Sequence, residues 1–181
     1  MTEGRRALKI EEKMGASRKE ISSPPEGRAY YSSPIGTIEI IGNEDGLLAT
    51  NFVSQRPPAE ASAHRILREA LQQIDEYFRG KRTSFSLELV FRGTEFQTAV
   101  WRRVIEIPYG ETRSYREIAE AVGKPKAVRA VGTANAGNKI GIVIPCHRVI
   151  GSDGELIGYG GGLWRKEWLL AHERQHAKGV R

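Results

Sequence analysis

The sequence predicts an α+β protein in two parts: a small antiparallel sheet with one helix, then a mostly helical C-terminal part. Three observations carry this. Between residues 29 and 53, β-branched and aromatic runs are separated by turn signals. From residue 57 onward, apolar residues recur at a helical period. At 181 residues the chain is long enough for one large domain or two small ones with a real core.

The first 27 residues mix charges of both signs (Arg5, Arg6, Lys9, Glu11, Glu12, Lys13) and end in Ser22-Ser23-Pro24-Pro25. Such a segment buries little surface, so a disordered tail is expected over 1–27, and Met14 offers a later start of translation. A scaffold domain is expected over 28–92. Ala29-Tyr30-Tyr31 and Ile35–Ile41 predict strands around a Ser32-Ser33-Pro34 turn. Asn43-Glu44-Asp45-Gly46 is a hairpin signal before a returning strand, Leu47–Val53. Pro57-Pro58 is expected to open a helix of some twenty residues, with Ile66, Leu67, Ala70, Leu71, Ile74 and Tyr77 on its buried stripe and a stop at Gly80. Phe85–Leu89 alternates like a strand. This half shows no site of its own and is expected to be scaffold.

The third segment, 93–181, begins with a helix whose stripe is Phe96, Val100, Trp101, Val104 and Ile105, ending at Ile107-Pro108-Tyr109-Gly110. Ser114-Tyr115-Arg116-Glu117 fits a capping box, and Gly123 with Pro125 ends the helix that it starts. A second short helix runs from Ala127 to about Ala136. The pair is a helix-turn-helix candidate. Ala127, Ala130 and Ala134 form a stripe without bulk, which lets a partner approach the backbone. Arg113, Arg116, Lys124, Lys126 and Arg129 surround it. This pattern suits a DNA backbone surface, and suits equally two packed helices with a solvated basic rim.

Ile142-Val143-Ile144 predicts a buried strand that stops at Pro145. Cys146 and His147 follow at its mouth. Cys146 is the only cysteine, so neither an internal disulfide nor a cysteine-based zinc site is available. A buried structural thiol competes with a nucleophile beside a base. Gly158-Tyr159-Gly160-Gly161-Gly162 gives either close main-chain approach to a flat ligand or a plain linker. In the last helix, from about Leu163 to His176, Lys166, Leu169, Leu170 and Glu173 share one face. A carboxylate among inward leucines needs a partner, and His147 is the natural one. The net charge of +6 suggests a polyanion partner without specifying it. No apolar run reaches spanning length and no signal peptide is evident, so a soluble cytoplasmic protein is expected.

Pro145-Cys146-His147-Arg148-Val149-Ile150 follows Arg129-Ala130-Val131-Gly132 and Asn138, and precedes Gly158–Gly162. With Phe96-Gln97, Val100-Trp101, Ile107–Thr112, Ser114-Tyr115, Lys166, Leu169-Leu170 and Glu173, this resembles the O6-alkylguanine-DNA alkyltransferases over residues 93–173. The N-terminal half is compatible with that family's variable ribonuclease-H-like domain. The resemblance implies direct, irreversible transfer of an alkyl group from O6-alkylguanine in DNA to Cys146, with O4-alkylthymine left open as a second substrate. Cys146 would be the acceptor. His147, through a water, and Glu173 would activate it, and Asn138 would brace its loop. Tyr115 would rotate the nucleotide and donate to the guanine oxygen. Arg129 would enter the duplex, flanked by Ala127, Ala130, Gly132, Ala134 and Arg116 on the DNA surface. Tyr159 and Gly160 would line the base pocket, with Val149 and Lys166 among the substrate contacts. Some members carry serine where this chain has Gly160, leaving only a backbone N–H. The partner is double-stranded DNA holding the lesion, met by a monomer, with no cofactor, metal or membrane. A Cys-His hydrolase and a non-catalytic damage sensor or helix-turn-helix regulator remain as alternatives; family relatives without activity replace the cysteine that is present here.

Overall fold

The computed structural model describes residues 24–54 and 64–177. The expected tail therefore lies outside the described residues up to position 23, as do Pro57 and Pro58.

Three antiparallel strands, β1 (Gly27–Ser33), β2 (Gly36–Asn43) and β3 (Gly46–Val53), form a sheet in sequence order. Glycine at 46 is required twice over. Its φ is +144°, and a Cβ there would lie 2.6 Å from the Glu88 carbonyl oxygen. On one face of the sheet Glu39 accepts from Arg28, Tyr30 and Asn51. The other face is apolar, with Ile38 and Ile40 buried. Helix α1 (Arg65–Phe78) packs on the sheet with Ile66, Leu67, Ala70, Ile74 and Tyr77 turned inward. Its stripe and its stop are as expected. Its start is not: it begins at Arg65, with His64 as N-cap.

Phe85–Leu89 does not become a strand. Only Leu47 pairs with it, through Leu47 N–H to Glu88 O at 2.8 Å and Val90 N–H to Leu47 O at 3.0 Å. The outer edge of β3 is shared between two segments. Three residues further on, the Thr50 N–H donates to Lys139 O at 2.8 Å. Each segment makes a single bridge to this edge among the described residues, so neither builds a ladder.

Helix α2 (Glu95–Ile105) starts with a reciprocal Thr94–Gln97 capping box. A two-residue strand, β4 (Arg113–Ser114), leads into α3 (Tyr115–Ala121), and the predicted Ser114–Glu117 box is present in both directions. Helix α4 (Val128–Ala136) follows a tight turn and packs on α2 and α3, giving the helix-turn-helix arrangement. β5 (Val149–Ile150) pairs in parallel with β4, and α5 (Leu163–Ala177) closes the fold. One continuous core runs from Ile38, Leu47 and Tyr77 to Val100, Val131, Ile144 and Leu169.

The apolar run before the cysteine is a turn, not a strand. Ile142 adopts φ +70°, the Val143 N–H donates to Gly141 O at 2.8 Å, and the Ile144 N–H to Ile140 O at 2.9 Å. Burial of a short apolar run does not by itself select a strand. Among the described residues no helix is long and apolar enough to cross a membrane.

Candidate active site

Cys146 opens a single 3-10 turn, Cys146–Arg148, just past the Ile142 turn. Two asparagines fix this approach. Asn138 Nδ2 donates to Ile144 O at 2.9 Å, while its Oδ1 accepts from the Ile140 N–H at 2.9 Å. Asn135 Nδ2 donates to the carbonyl of Cys146 itself at 3.2 Å. Cys146 is only 7% exposed and lines a cavity of about 240 Å³. This is below the ~300–1,000 Å³ common for drug-sized ligands. Burial pushes the thiol up, partly offset by the Asn138 amide and the Lys166 ammonium. A base is therefore needed to free it.

His147 is fully buried, and its Nε2 lies 2.8 Å from Glu173 Oε1. The partnership expected from the spacing on α5 is present. Lys166, Leu169, Leu170 and Glu173 all turn inward. Glu173 is the hub of a larger network. Arg148 grips it bidentately, Nε to Oε2 and Nη2 to Oε1, each at 2.9 Å. The Gly110 N–H donates to Oε2 at 3.1 Å and the Tyr77 hydroxyl to Oε1 at 2.8 Å. Burial alone would raise the Glu173 carboxyl; His147 and Arg148 outweigh it and hold the group far below the usual carboxylate range. His147 is driven down by burial, against the pull of Glu173, and is neutral. A neutral ring facing a carboxylate carries its proton on Nε2, which leaves Nδ1 as a bare lone pair. Among the described residues Nδ1 has no protein partner.

The cavity is lined by Cys146, Asn138 and the loop Gly158–Gly161, with Tyr159 between the glycines. Glycine at 161 is dictated by contact, since a Cβ there would lie 2.9 Å from both the Tyr159 and Phe52 rings. Thr50, Asn51 and Phe52 of β3 also line it. The N-terminal half is therefore more than the expected scaffold: it supplies this part of the lining and the Tyr77 hydroxyl.

Two expected substrate contacts are corrected. Val149 and Lys166 are each 0% exposed and do not line the cavity. Lys166 Nζ instead donates to Val149 O at 2.6 Å and Ile157 O at 2.8 Å, and burial pulls its pKa down to about 8. It ties the glycine loop to β5. Tyr115 is half-buried, and its hydroxyl donates to Ile157 O at 3.0 Å. A Cβ added at Gly132 would lie 3.9 Å from the Tyr115 ring, an ordinary contact. Arg116, Arg129 and Ala130 are exposed, and Ala127 is half-buried. Ala134 is corrected: it is 2% exposed and packs inward, its carbonyl accepting from Trp101 Nε1 at 2.7 Å. The exposed face of α4 is Arg129, Ala130, Thr133 and Ala136.

The profile described as the DNA-binding domain of 6-O-methylguanine DNA methyltransferase matches residues 95–175. The profile of the ribonuclease-like domain of the same protein matches residues 28–91. The chain belongs to the 6-O-methylguanine DNA methyltransferase family. A methylated-DNA–protein-cysteine methyltransferase of Methanosarcina barkeri is 51% identical over 157 residues, covering 82% of this chain and 99% of the relative. The Mycobacterium tuberculosis O6-methylguanine methyltransferase structure superposes with a TM-score of 0.76 at 42% identity, covering 84% of this chain and 94% of that one. The structure of that bacterium's OGT in complex with DNA gives 0.73 at 44% identity, over 81% and 92% of the two chains. The fold is thus a methyltransferase fold of this family in both halves, and the cavity is built where its two matched domains meet.

Sequence reasoning missed Arg148, Asn135, Tyr77 and Phe52. A signal existed for Arg148, because a charged residue inside Ile144–Ile150 demands a buried partner. Nothing in the local pattern marks Phe52.

Proposed function

We propose that this protein repairs DNA by moving the alkyl group of O6-alkylguanine directly onto Cys146 Sγ, once per molecule. The observation that carries this reading is the sole cysteine, facing a base-sized cavity beside a neutral histidine whose Nδ1 is unpartnered. His147 Nδ1 takes the thiol proton, directly or through one water, with Glu173 stabilising the imidazolium that forms. The thiolate attacks the alkyl carbon, an S–C bond forms and the C–O6 bond breaks. The guanine oxygen gains a proton as it leaves; Tyr115 supplies it once its hydroxyl turns from the Ile157 carbonyl, and the proton taken up by His147 restores the phenol through solvent. Asn138 braces the cysteine loop, while Tyr159 and the Gly160 main chain line the pocket. The thioether has no evident route back, so the reaction is stoichiometric.

The protein binds duplex DNA as a monomer. The lesion base leaves the stack at a cost of a few kcal/mol, with Arg129 on the exposed face of α4 filling the gap and Arg116 contacting phosphate. Intact-mass measurement after mixing with an O6-methylguanine duplex tests this reading. A stable gain of one methyl on Cys146, absent in Cys146→Ser although that variant still binds DNA, is expected. Multiple turnover would indicate a hydrolase, and binding without a mass change a damage sensor.

A further inference from the structure

We infer that Tyr77, on the N-terminal helix α1, is a positioning residue for the nucleophile: its hydroxyl shares Glu173 Oε1 with His147 and so sets how strongly His147 attracts the thiol proton. This deepens the reading of Cys146 as nucleophile and rests on it.

The geometry is specific. Tyr77 is 0% exposed, and its hydroxyl reaches Glu173 Oε1 at 2.8 Å, the distance that also separates that oxygen from His147 Nε2. Both donors therefore compete for the same acceptor atom, which also accepts from Arg148 Nη2 at 2.9 Å. The ring is held on several sides. Phe78 meets it edge-on at 5.3 Å, Tyr109 edge-on at 6.0 Å and Phe85 at 5.6 Å. The Tyr77 carbonyl lies 2.8 Å from His172 Nε2, one residue before Glu173 on α5. Helix α1 is thus pinned to α5 at both the backbone and the hydroxyl of Tyr77. Packing alone would have been met by phenylalanine. The hydroxyl is explained by its acceptor.

A carboxylate oxygen that accepts a further hydrogen bond holds its negative charge less available to its other donors. Removing the Tyr77 hydroxyl concentrates charge on Oε1, strengthens the pull on His147 Nε2–H and makes Nδ1 more basic. The other groups facing His147 and Glu173 are Cys146 and Arg148 of the same turn, Tyr109 after α2, Tyr159 of the glycine loop, and Lys166 on α5. Arg148 and Lys166 both oppose a charge on His147. Tyr77 acts in the same sense as these two cations while remaining uncharged, because burial keeps its phenol protonated.

Cys146 is the only cysteine, so iodoacetamide reports its reactivity without DNA, and the rise of the rate with pH follows loss of the proton from His147, which must be neutral to take the thiol proton. The experiment follows the rate of Cys146 alkylation from pH 5 to 9 in the full chain, with methyl transfer from an O6-methylguanine duplex measured alongside. In Tyr77→Phe the midpoint of the profile is expected to move up by about half a pH unit or more, with unchanged DNA affinity. Site-specific 3-fluorotyrosine at position 77 keeps the ring and the bond but donates more strongly, and should move the midpoint down. This second replacement also covers a Tyr77→Phe chain that fails to fold. Profiles that overlay the wild type in the fluorotyrosine protein, or shifts of the same sign in both, would overturn the inference. A purely structural role lowers stability without opposite shifts. Failure of the wild type to transfer methyl, with opposite shifts still seen, would count against the repair reading and leave the Tyr77 inference standing.

Discussion

Glu173 accepts five hydrogen bonds from four residues, and each has a different claim on it. The spacing of α5 was enough to place this carboxylate inward and to name His147 as its partner. The same spacing gave no hint of Arg148, which is 5% exposed and carries the compensating charge. The difference matters for mutagenesis. Glu173→Gln leaves the Arg148 guanidinium buried without its counter-ion, which costs about 3–5 kcal/mol. We expect the melting temperature to fall by roughly 10 °C. The pH dependence follows with a definite sign. The folded carboxyl sits far below its unfolded value, so its contribution is complete above about pH 4.3 and is lost as pH falls below that. His147, held neutral in the fold, adds a milder loss below about pH 6.5. Calorimetry from pH 3 to 8 should show a shallower acid limb below pH 4.3 in Glu173→Gln than in the wild type. Parallel curves would remove Glu173 from that account.

At the scale of elements, what the sequence made legible was whatever depends on near neighbours. The Ser114 and Glu117 capping box, the inward stripe of α1 and the hairpin at Gly46 are all local rules, and all are present. Ile142–Ile144 failed because the chain turns at Ile142, φ +70°, and Phe85–Leu89 for want of an edge. Whether an apolar run becomes a strand depends on a free edge, and the edge of β3 is divided between residues 88–90 and 139–140. Helix α4 shows the same limit on a finer scale. The alanine stripe was real, but a helix of nine residues has only about two and a half turns, and Ala134 falls on the turn that α2 covers. Arg129 and Ala130 remain outward. Arg129→Ala should therefore slow repair of duplex DNA by about tenfold or more, the unstacking cost no longer being offset. Reaction with free O6-alkylguanine base should be nearly unchanged. Single-turnover rates on both substrates decide this, and equal losses would place Arg129 in folding or chemistry instead of flipping.

Taken whole, the molecule places its nucleophile in the seam between its two matched domains. Thr50 reaches Gly141 across 91 residues of sequence, and Tyr77 reaches Glu173 across 96. No pattern within a window of twenty residues carries such a pairing, which is why the cavity wall of β3 went unread while the cysteine did not. The separation also has a meaning in time. Cys146 leaves the ribosome before Glu173, and its tuned partner is complete only when α5 has docked against α1. Closing such long loops is the slow part of folding. During refolding from denaturant, methyl-transfer competence should return with the last phase, after most helical signal has been regained, and recovery in an early phase would contradict this. A protein that can react only once gains from that order, because its thiol stays unremarkable until the chain that must recognise a lesion has been finished.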